Sequence, residues 1–164
     1  MEAGKGRRDL WRTNKEPGGQ NAFAARSRHQ RFTFFSADMA YSVNNPAGKV
    51  VDGVLSDLPG LLAVAVVDMG SGMSLASHSN SPSINPDTAA AYNTEVVKQK
   101  QKAISALKLT SENIEDILFT LSNQLHLIRL ASNGAKFIYL VVNSRDTNLA
   151  IAREVLREHA SQLN

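Results

Sequence analysis

The dipeptide Asn133-Gly134 stands between two apolar segments, residues 124–132 and 135–143, and it constrains the fold more than any other feature. Asn-Gly between two apolar segments is the strongest short-range signal for a β-hairpin. A hairpin connection makes its two strands antiparallel. The chain therefore contains at least one antiparallel pair, and the remaining elements have to be arranged around it.

Three more strands and three helices are predicted from turn signals and apolar spacing. Each Asn-Pro dipeptide combines a favoured N-cap with a proline suited to the first helical position. The helices are predicted to begin at Asn45-Pro46, at Asn85-Pro86 and near Asn148, and the strands to cover residues 61–68, 73–79 and 114–122. The order α-β-β-α-β-β-β-α predicts an α/β fold of the α+β type, with a five-stranded antiparallel sheet and helices packed on it.

The second helix is predicted to run to about Leu107 and to have a polar middle, residues 98–102. Its apolar residues lie broadly on one side of the helix. These residues are Ala89, Tyr92, Val96, Ala103, Ile104 and Leu107.

The first 44 residues differ in composition from the rest, and we expect a flexible basic tail there and one domain over residues 45–164. Residues 1–45 carry eight Lys/Arg and four Asp/Glu, whereas residues 46–164 carry ten and eleven. With so few aliphatic residues the tail cannot bury enough surface to offset its ordering entropy. Its segment 26–35 alternates basic and aromatic residues, which could stack on single-stranded nucleic acid or touch a membrane surface. Nucleic-acid binding by the near-neutral domain itself is not expected.

Several classes of chemistry are excluded or weakly supported. The chain has no cysteine, so disulfides, thiol nucleophiles and thiolate metal sites are excluded. Its longest apolar run, residues 61–67, is too short to cross a bilayer, and no secretory signal is present. We therefore expect a cytoplasmic protein that is not an enzyme and holds neither cofactor nor metal.

Neither loop that could resemble a phosphate site has the required sequence. The loop NSRDTN, residues 143–148, has no glycine, and we interpret it as a turn in which Asp146, Thr147 or Asn148 caps the last helix. The turn DMGSGM has two glycines, but no lysine follows them and no helix opens there. Two glycines are explained by a hairpin.

The histidines and acidic residues suggest no catalytic group. His29 lies in the tail, and His78 has no evident acidic partner. His126 shares a strand face with Ile128 and Leu130, which favours a partly buried structural role. Glu112, Glu115 and Asp116 could pair for acid–base chemistry, but they stand at the entry to a strand, where solvated charge is usual.

Four segments together are similar to the roadblock / dynein light chain family. They are KVVDGVLSDLPGLLAVAVVDMGSGMSLAS, TAAAYNTEVV, ENIEDILFTLSNQLHLIRLASNGAKFIYLVV and TNLAIAREVL, within residues 46–160. The resemblance implies a five-stranded antiparallel sheet between helices, in a roadblock/profilin-like arrangement. It also implies homodimers or heterodimers in which the third strands pair across a two-fold axis, beside the long helices. Members of the family are non-catalytic adaptors, and several bind and regulate Ras-like small GTPases.

The residues themselves point to the same place, because the segment 114–122 follows a crossover helix and can lie at a sheet edge. A long apolar edge strand invites pairing with another chain, and symmetric dimers are the commonest outcome. The alternative is a strand enclosed within the sheet of a monomer. The predicted dimer interface comprises Ile114, Ile117, Leu118, Phe119, Thr120 and Leu121, with Val96, Lys100 and Ile104 of the long helix.

Charged residues of the helices offer a second surface. Lys98 and Lys102 could present positive charge to an acidic partner, although such a run is usually a solvated helix face. Arg153 matches a position that the family keeps, and we expect a salt bridge or helix-end contact from it.

Two functions remain open at this point. The first is a dimeric adaptor that binds a protein partner, a small GTPase in particular. The second is a ligand-sensing module of profilin-like fold, which needs a pocket of several hundred cubic ångströms with convergent polar groups.

Overall fold

The computed structural model describes residues 45–109 and 111–164, and its elements follow the predicted order. The tail predicted over residues 1–44, with its domain boundary, His29 and segment 26–35, lies outside the described residues. The elements are α1 (Pro46–Asp57), β1 (Leu61–Asp68), β2 (Ser74–Ser79), α2 (Pro86–Ala106), β3 (Asp116–Thr120), β4 (Gln124–Leu130), β5 (Lys136–Asn143), α3 (Leu149–Ala160) and a final 3-10 turn, Ser161–Leu163.

Each α-helix begins at an asparagine whose side-chain oxygen accepts hydrogen bonds from the first free N–H groups. Asn45 accepts from Ala47 N at 3.0 Å, and Asn85 accepts from Thr88 N at 2.9 Å. Asn148 accepts from Ala150 N at 2.9 Å, so it is the cap among the three candidates in its loop. All three predicted helix starts are confirmed, because the cap satisfies donors that the helix itself cannot.

The five strands form one antiparallel sheet in the order β2-β1-β5-β4-β3. Helices α1 and α3 cover one side, the α1/α3 face, and helix α2 lies on the other, the α2 face. The central strand β1 buries Val64 and Val66 on the α1/α3 face and Ala65 and Val67 on the α2 face. Its unbroken apolar run is explained by helices on both sides, and the predicted α+β fold is confirmed.

The turn between β1 and β2 is held by its own acidic residue. Asp68 Oδ2 accepts from Ser71 N at 2.8 Å and from Ser71 Oγ at 2.7 Å, and Gly72 follows with φ of 73°. The backbone donor of Ser71, followed by its hydroxyl, lowers the pKa of Asp68. The DMGSGM segment is therefore a hairpin turn, as predicted.

Strand β3 is shorter than the predicted segment 114–122. Ile114 lies in the preceding loop, and Leu121 lies in the following turn with 51% of its surface exposed. The last backbone bonds towards β4 come from Leu130 N to Glu115 O and from Leu121 N to Gln124 O. Beyond them the chain leaves the sheet, so apolar composition alone overestimated the strand.

The apolar side of α2 identified in the sequence is not the side that the helix buries. Tyr92 and Leu107 of that apolar side are 74% and 69% exposed. The helix instead buries Ala90, Thr94 and Val97. Thr94 is tolerated there because its hydroxyl donates to Ala90 O at 2.8 Å within the helix. Tyr92 and Leu107 therefore face away from the sheet of their own chain, whereas Ala89 of the same apolar set packs against the α2-face cluster.

Candidate protein-binding surface

The outer edge of β3 is the first component of the candidate surface. Strand β3 ends the described sheet on one side, and β2 ends it on the other. The pairing of β1 with β2 contains a register shift at Val66/Val67, whereas the β3–β4 register runs without a shift from Asp116 to Thr120. Bulges are a common device for blunting edge strands. Strand β3 lacks this device and presents a regular edge.

The side chains of β3 alternate between the two faces as predicted. Ile117 and Phe119 pack on the α2 face, and Leu118 packs on the α1/α3 face. All three are only half-buried, because no described strand lies beyond β3 to complete their packing. Large apolar side chains at this depth would gain further burial from a chain added at the edge.

The second component is the outward side of α2. We call Tyr92, Val96, Lys100, Ala103 and Leu107 the outer stripe, because helical spacing places them on one side of the helix. Val96 is half-buried and the other four are exposed. Four of the five belong to the apolar side identified from the sequence, and Val96 and Lys100 were also predicted for the dimer interface.

The two components meet in a groove of about 710 Å³ between α2 and β3, which we call the edge groove. Both polar and apolar side chains line it, and it is open to solvent. Its lining includes Lys100, Ile104, Ile114, Ile117 and Leu118, five of the nine residues predicted for a dimer interface. The structure thus brings residues of the loop, the edge strand and the long helix into one continuous surface.

Charged pairs stand at the beginning of β3. Arg153 of α3 donates from Nε to Asp116 Oδ2 at 3.1 Å and from Nη2 to Asp116 Oδ1 at 3.3 Å. Arg129 of β4 lies 3.4 Å from Glu115. The predicted salt bridge of Arg153 is confirmed. The guanidinium donates to both carboxylate oxygens, so it holds the Asp116 side chain at the start of β3 in one orientation.

His126 has the structural role expected for it. Its Nδ1 lies 2.7 Å from the hydroxyl of Tyr139, and its Nε2 lies 3.0 Å from Gln124 Oε1. One neutral tautomer, with the proton on Nε2, satisfies both contacts. Burial lowers the pKa of His126. Burial also raises the pKa of Tyr139, against the opposing effect of a hydrogen bond with Asn93. This polar group supports the α2 face beside Phe119, with which His126 is paired.

Lys98 and Lys102 lie on a different flank of α2 from the outer stripe. Asp87 of α2 accepts a hydrogen bond from Ser77 Oγ of β2 at 2.9 Å, which marks the flank above β2. Lys98 and Lys102 follow Asp87 by 11 and 15 residues, so they lie near the same flank. Lys98 pairs with Glu95 at 3.3 Å, and Lys102 is exposed. The structure therefore separates these two lysines from Lys100 and from the edge of β3.

A helix–helix contact was not foreseen from the sequence. The buried ring of His159 in α3 lies directly over Gly53 of α1, and its Nε2 lies 2.7 Å from Asp57 Oδ2. The pair is 102 residues apart in the chain, and a glycine four residues before an aspartate is too weak a signal to reveal it.

The other candidates for chemistry stay apart. His78 contacts Asn80 rather than an acid, and Glu112 and Glu115 are exposed. Across residues 45–109 and 111–164, no cluster of three or more acidic or histidine side chains is arranged to hold a metal ion. In the same part of the chain, no helix has the length and apolar character needed to cross a membrane.

No family model matches the chain, and no curated protein matches it in sequence. Solved structures do match. Myxococcus xanthus MglB is 17% identical, with a TM-score of 0.61 over 72% of this chain and 84% of that one. A structure described as MglB with tetrameric arrangement is 17% identical and has a TM-score of 0.60, and the match covers 72% of this chain and 87% of that chain. A Roadblock/LC7 domain from Streptomyces avermitilis is 12% identical and has a TM-score of 0.60, and the match covers 70% of this chain and 92% of that chain. The described domain therefore has the roadblock fold.

Proposed function

We propose that this protein is a non-catalytic homodimeric adaptor that binds protein partners, with a Ras-like small GTPase as the partner class. The observation that carries the proposal is the continuity of the regular β3 edge with the outer stripe of α2 through the edge groove. An unpaired strand edge and an apolar helix side need a covering chain, and one two-fold contact covers both in each copy.

The dimer is supported by the exposure of Tyr92 and Leu107 on the helix beside the edge. Isolated exposed apolar residues are ordinary, but these belong to one helical stripe adjoining half-buried Ile117 and Phe119. A matching structure described as having a tetrameric arrangement is consistent with self-association of this fold.

The GTPase is supported by the roadblock fold and by the resemblance of the sequence to a family in which several members bind Ras-like GTPases. If β3 and the outer stripe are covered in the dimer, partner contacts have to come from other surfaces. The flank of α2 with Lys98 and Lys102 is one that the β3 contact leaves exposed, and its positive charge suits an acidic partner.

Two measurements test the proposal. Size-exclusion chromatography with light scattering should give the mass of two chains, and immobilised protein should retain a Ras-like GTPase loaded with GDP or a GTP analogue. Lys98→Glu/Lys102→Glu should weaken that retention while leaving the dimer intact. A chain that stays monomeric at micromolar concentration and retains no GTPase contradicts the proposal.

The alternative, a ligand-sensing module, has one observation in its favour. A groove of about 480 Å³ lies between the end of α2 and the β4–β5 hairpin, lined by Glu112, Glu115, Arg129 and Asn133 among others. The guanidinium of Arg129 in this groove is already paired with Glu115, so a ligand would have to displace that contact. A thermal-shift screen that raises the melting temperature with a small polar compound would favour this alternative.

A further inference from the structure

Helix α2 leaves the sheet well before the helix ends. Its last buried residue is Val97, whereas residues 99–103 are exposed at five successive positions. Five residues exceed one helical turn, so every side of the helix is open to solvent there. Helical spacing nevertheless places Gln101 and Ser105 on the side of the buried residues, which faces the sheet. These two polar residues therefore face an open space between the helix and the sheet.

That space is the groove of about 480 Å³ between α2 and the β4–β5 hairpin, and we call it the α2 cleft. Ile104 and Leu130 give it an apolar lining, and Leu130 also packs on the α2 face of the sheet. Carboxamides converge on it from three elements, because Gln101 belongs to the helix, Asn113 to the loop before β3 and Asn133 to the hairpin. A volume of several hundred cubic ångströms, an apolar lining and converging polar groups are features of small-molecule sites.

The charged residues of the α2 cleft have both signs. The side chain of Arg129 is only 19% exposed, and its hydrogen bond to a described side chain is a single 3.4 Å contact with Glu115. A guanidinium carries five N–H donors, so this contact uses a small part of the capacity of Arg129. Glu112 is exposed and forms no ion pair with any described residue.

These groups match a ligand that carries a carboxylate and an ammonium together. A ligand carboxylate can accept two parallel hydrogen bonds from the guanidinium of Arg129. Glu115 is 81% exposed, so it can release Arg129 at little cost and accept the ammonium together with Glu112. The C-terminal end of α2 also borders the cleft, and its partial negative charge favours an ammonium. The same negative charges disfavour phosphate and other multivalent anions.

We propose that the α2 cleft binds a small zwitterion, a free α-amino acid with an uncharged side chain, with its carboxylate on Arg129 and its ammonium between Glu112 and Glu115. The side chain of the ligand lies against Ile104 and Leu130. This site goes beyond the proposed adaptor function and does not depend on it, because neither a second copy nor a GTPase supplies a residue to it.

Isothermal titration calorimetry of the full chain with neutral L-amino acids, valine first, tests the site directly. Valine should bind saturably, and at ten times its Kd it should raise the melting temperature by about 3–6 °C. Isobutylamine lacks the carboxylate of valine and 3-methylbutanoate lacks its amine, so each should bind at least about tenfold more weakly. The proposal is overturned if no neutral amino acid binds, or if either fragment binds as tightly as the intact amino acid.

Substitutions locate the site. Arg129→Gln should weaken valine binding at least about tenfold, whereas Arg145→Gln, at an exposed arginine outside the cleft, should leave it unchanged. Glu112→Gln changes an exposed side chain without an ion pair, so it should fold normally, weaken valine binding and leave 3-methylbutanoate binding no weaker. Valine binding that is unchanged in both Arg129→Gln and Glu112→Gln overturns the assignment. None of these titrations bears on the proposed adaptor, which light scattering and GTPase retention test separately.

Discussion

Replacing Gly53 by alanine should destabilise the domain, although alanine normally favours a helix. An added Cβ would lie 2.3 Å from Cε1 and 2.8 Å from Nδ1 of the buried His159 ring. Ordinary contacts are 3.4–4 Å, so the ring has to move by about 1 Å or the helices have to separate.

The magnitude follows from opposing contributions. Overpacking a well-filled site costs about 1–3 kcal/mol, and displacing the ring from Asp57 costs about 1–2 kcal/mol more. Helix propensity returns about 1 kcal/mol. The net loss in the free energy of unfolding should be about 1–4 kcal/mol, and towards the lower end because Asp57 is partly exposed and can be rehydrated.

The assay is urea unfolding, monitored by far-ultraviolet circular dichroism at a fixed protein concentration, because the proposed dimer would make stability depend on concentration. Gly60→Ala is the matched control, since its Cβ would meet nothing within 4 Å, and it should change stability by less than about 0.5 kcal/mol. In a His159→Ala background the sign should reverse, and Gly53→Ala should stabilise by about 1 kcal/mol. A Gly53→Ala protein as stable as the parent, or no reversal, would refute the steric argument.

Three further outcomes are expected. Tyr92→Ser and Leu107→Ser should each weaken self-association in light scattering without unfolding the chain, whereas Ile151→Ser, at another exposed apolar residue on α3, should leave the mass in solution unchanged. Burial lowers the pKa of His126 below its ordinary 6.5. The neutral ring therefore contributes to the free energy of unfolding above about pH 6.5, and this contribution is lost as the pH falls through the lowered pKa. His126→Gln should lack that part of the loss of stability when unfolding is measured at decreasing pH. Deleting residues 1–44 should leave the dimer mass at two truncated chains and should abolish any binding to single-stranded nucleic acid, which in the full chain should already fade as salt rises.

Local signals predicted most of the fold correctly because their physical cause is local. An asparagine cap acts within three residues of itself, and Asn133-Gly134 specifies its own turn. Which side of helix α2 is buried was not predictable from the sequence, because burial depends on contacts beyond the helix. Thr94 can be buried because it bonds to Ala90 of its own helix, while Tyr92 and Leu107 are apolar yet exposed. Hydrophobic spacing finds an apolar stripe but does not say whether the chain itself or another molecule covers it.

Contacts between distant segments were beyond prediction from spacing. Neither Gly53 nor Asp57 indicates that a histidine more than a hundred residues later will pack on them, because the contact depends on how α1 and α3 cross on the sheet. The edge position of β3 was foreseeable from its place after a crossover helix. Its length was not, since the ladder ends where Leu121 turns back to Gln124.

The two edges of the sheet differ in a way that favours self-association at β3 and leaves β2 for other contacts. At β2 the register shift interrupts the ladder, and Ser77 and Ser79 use their hydroxyls to bind Asp87 and the loop that follows the strand. These features make β2 a poor template for a second strand. At β3 the ladder is regular, and the only carboxylate on the strand, Asp116, is held by Arg153. Pairing through β3 would therefore leave each β2 edge, with Lys98 and Lys102 above it, at the far ends of one continuous sheet, so that dimerisation and partner binding need not compete for the same surface.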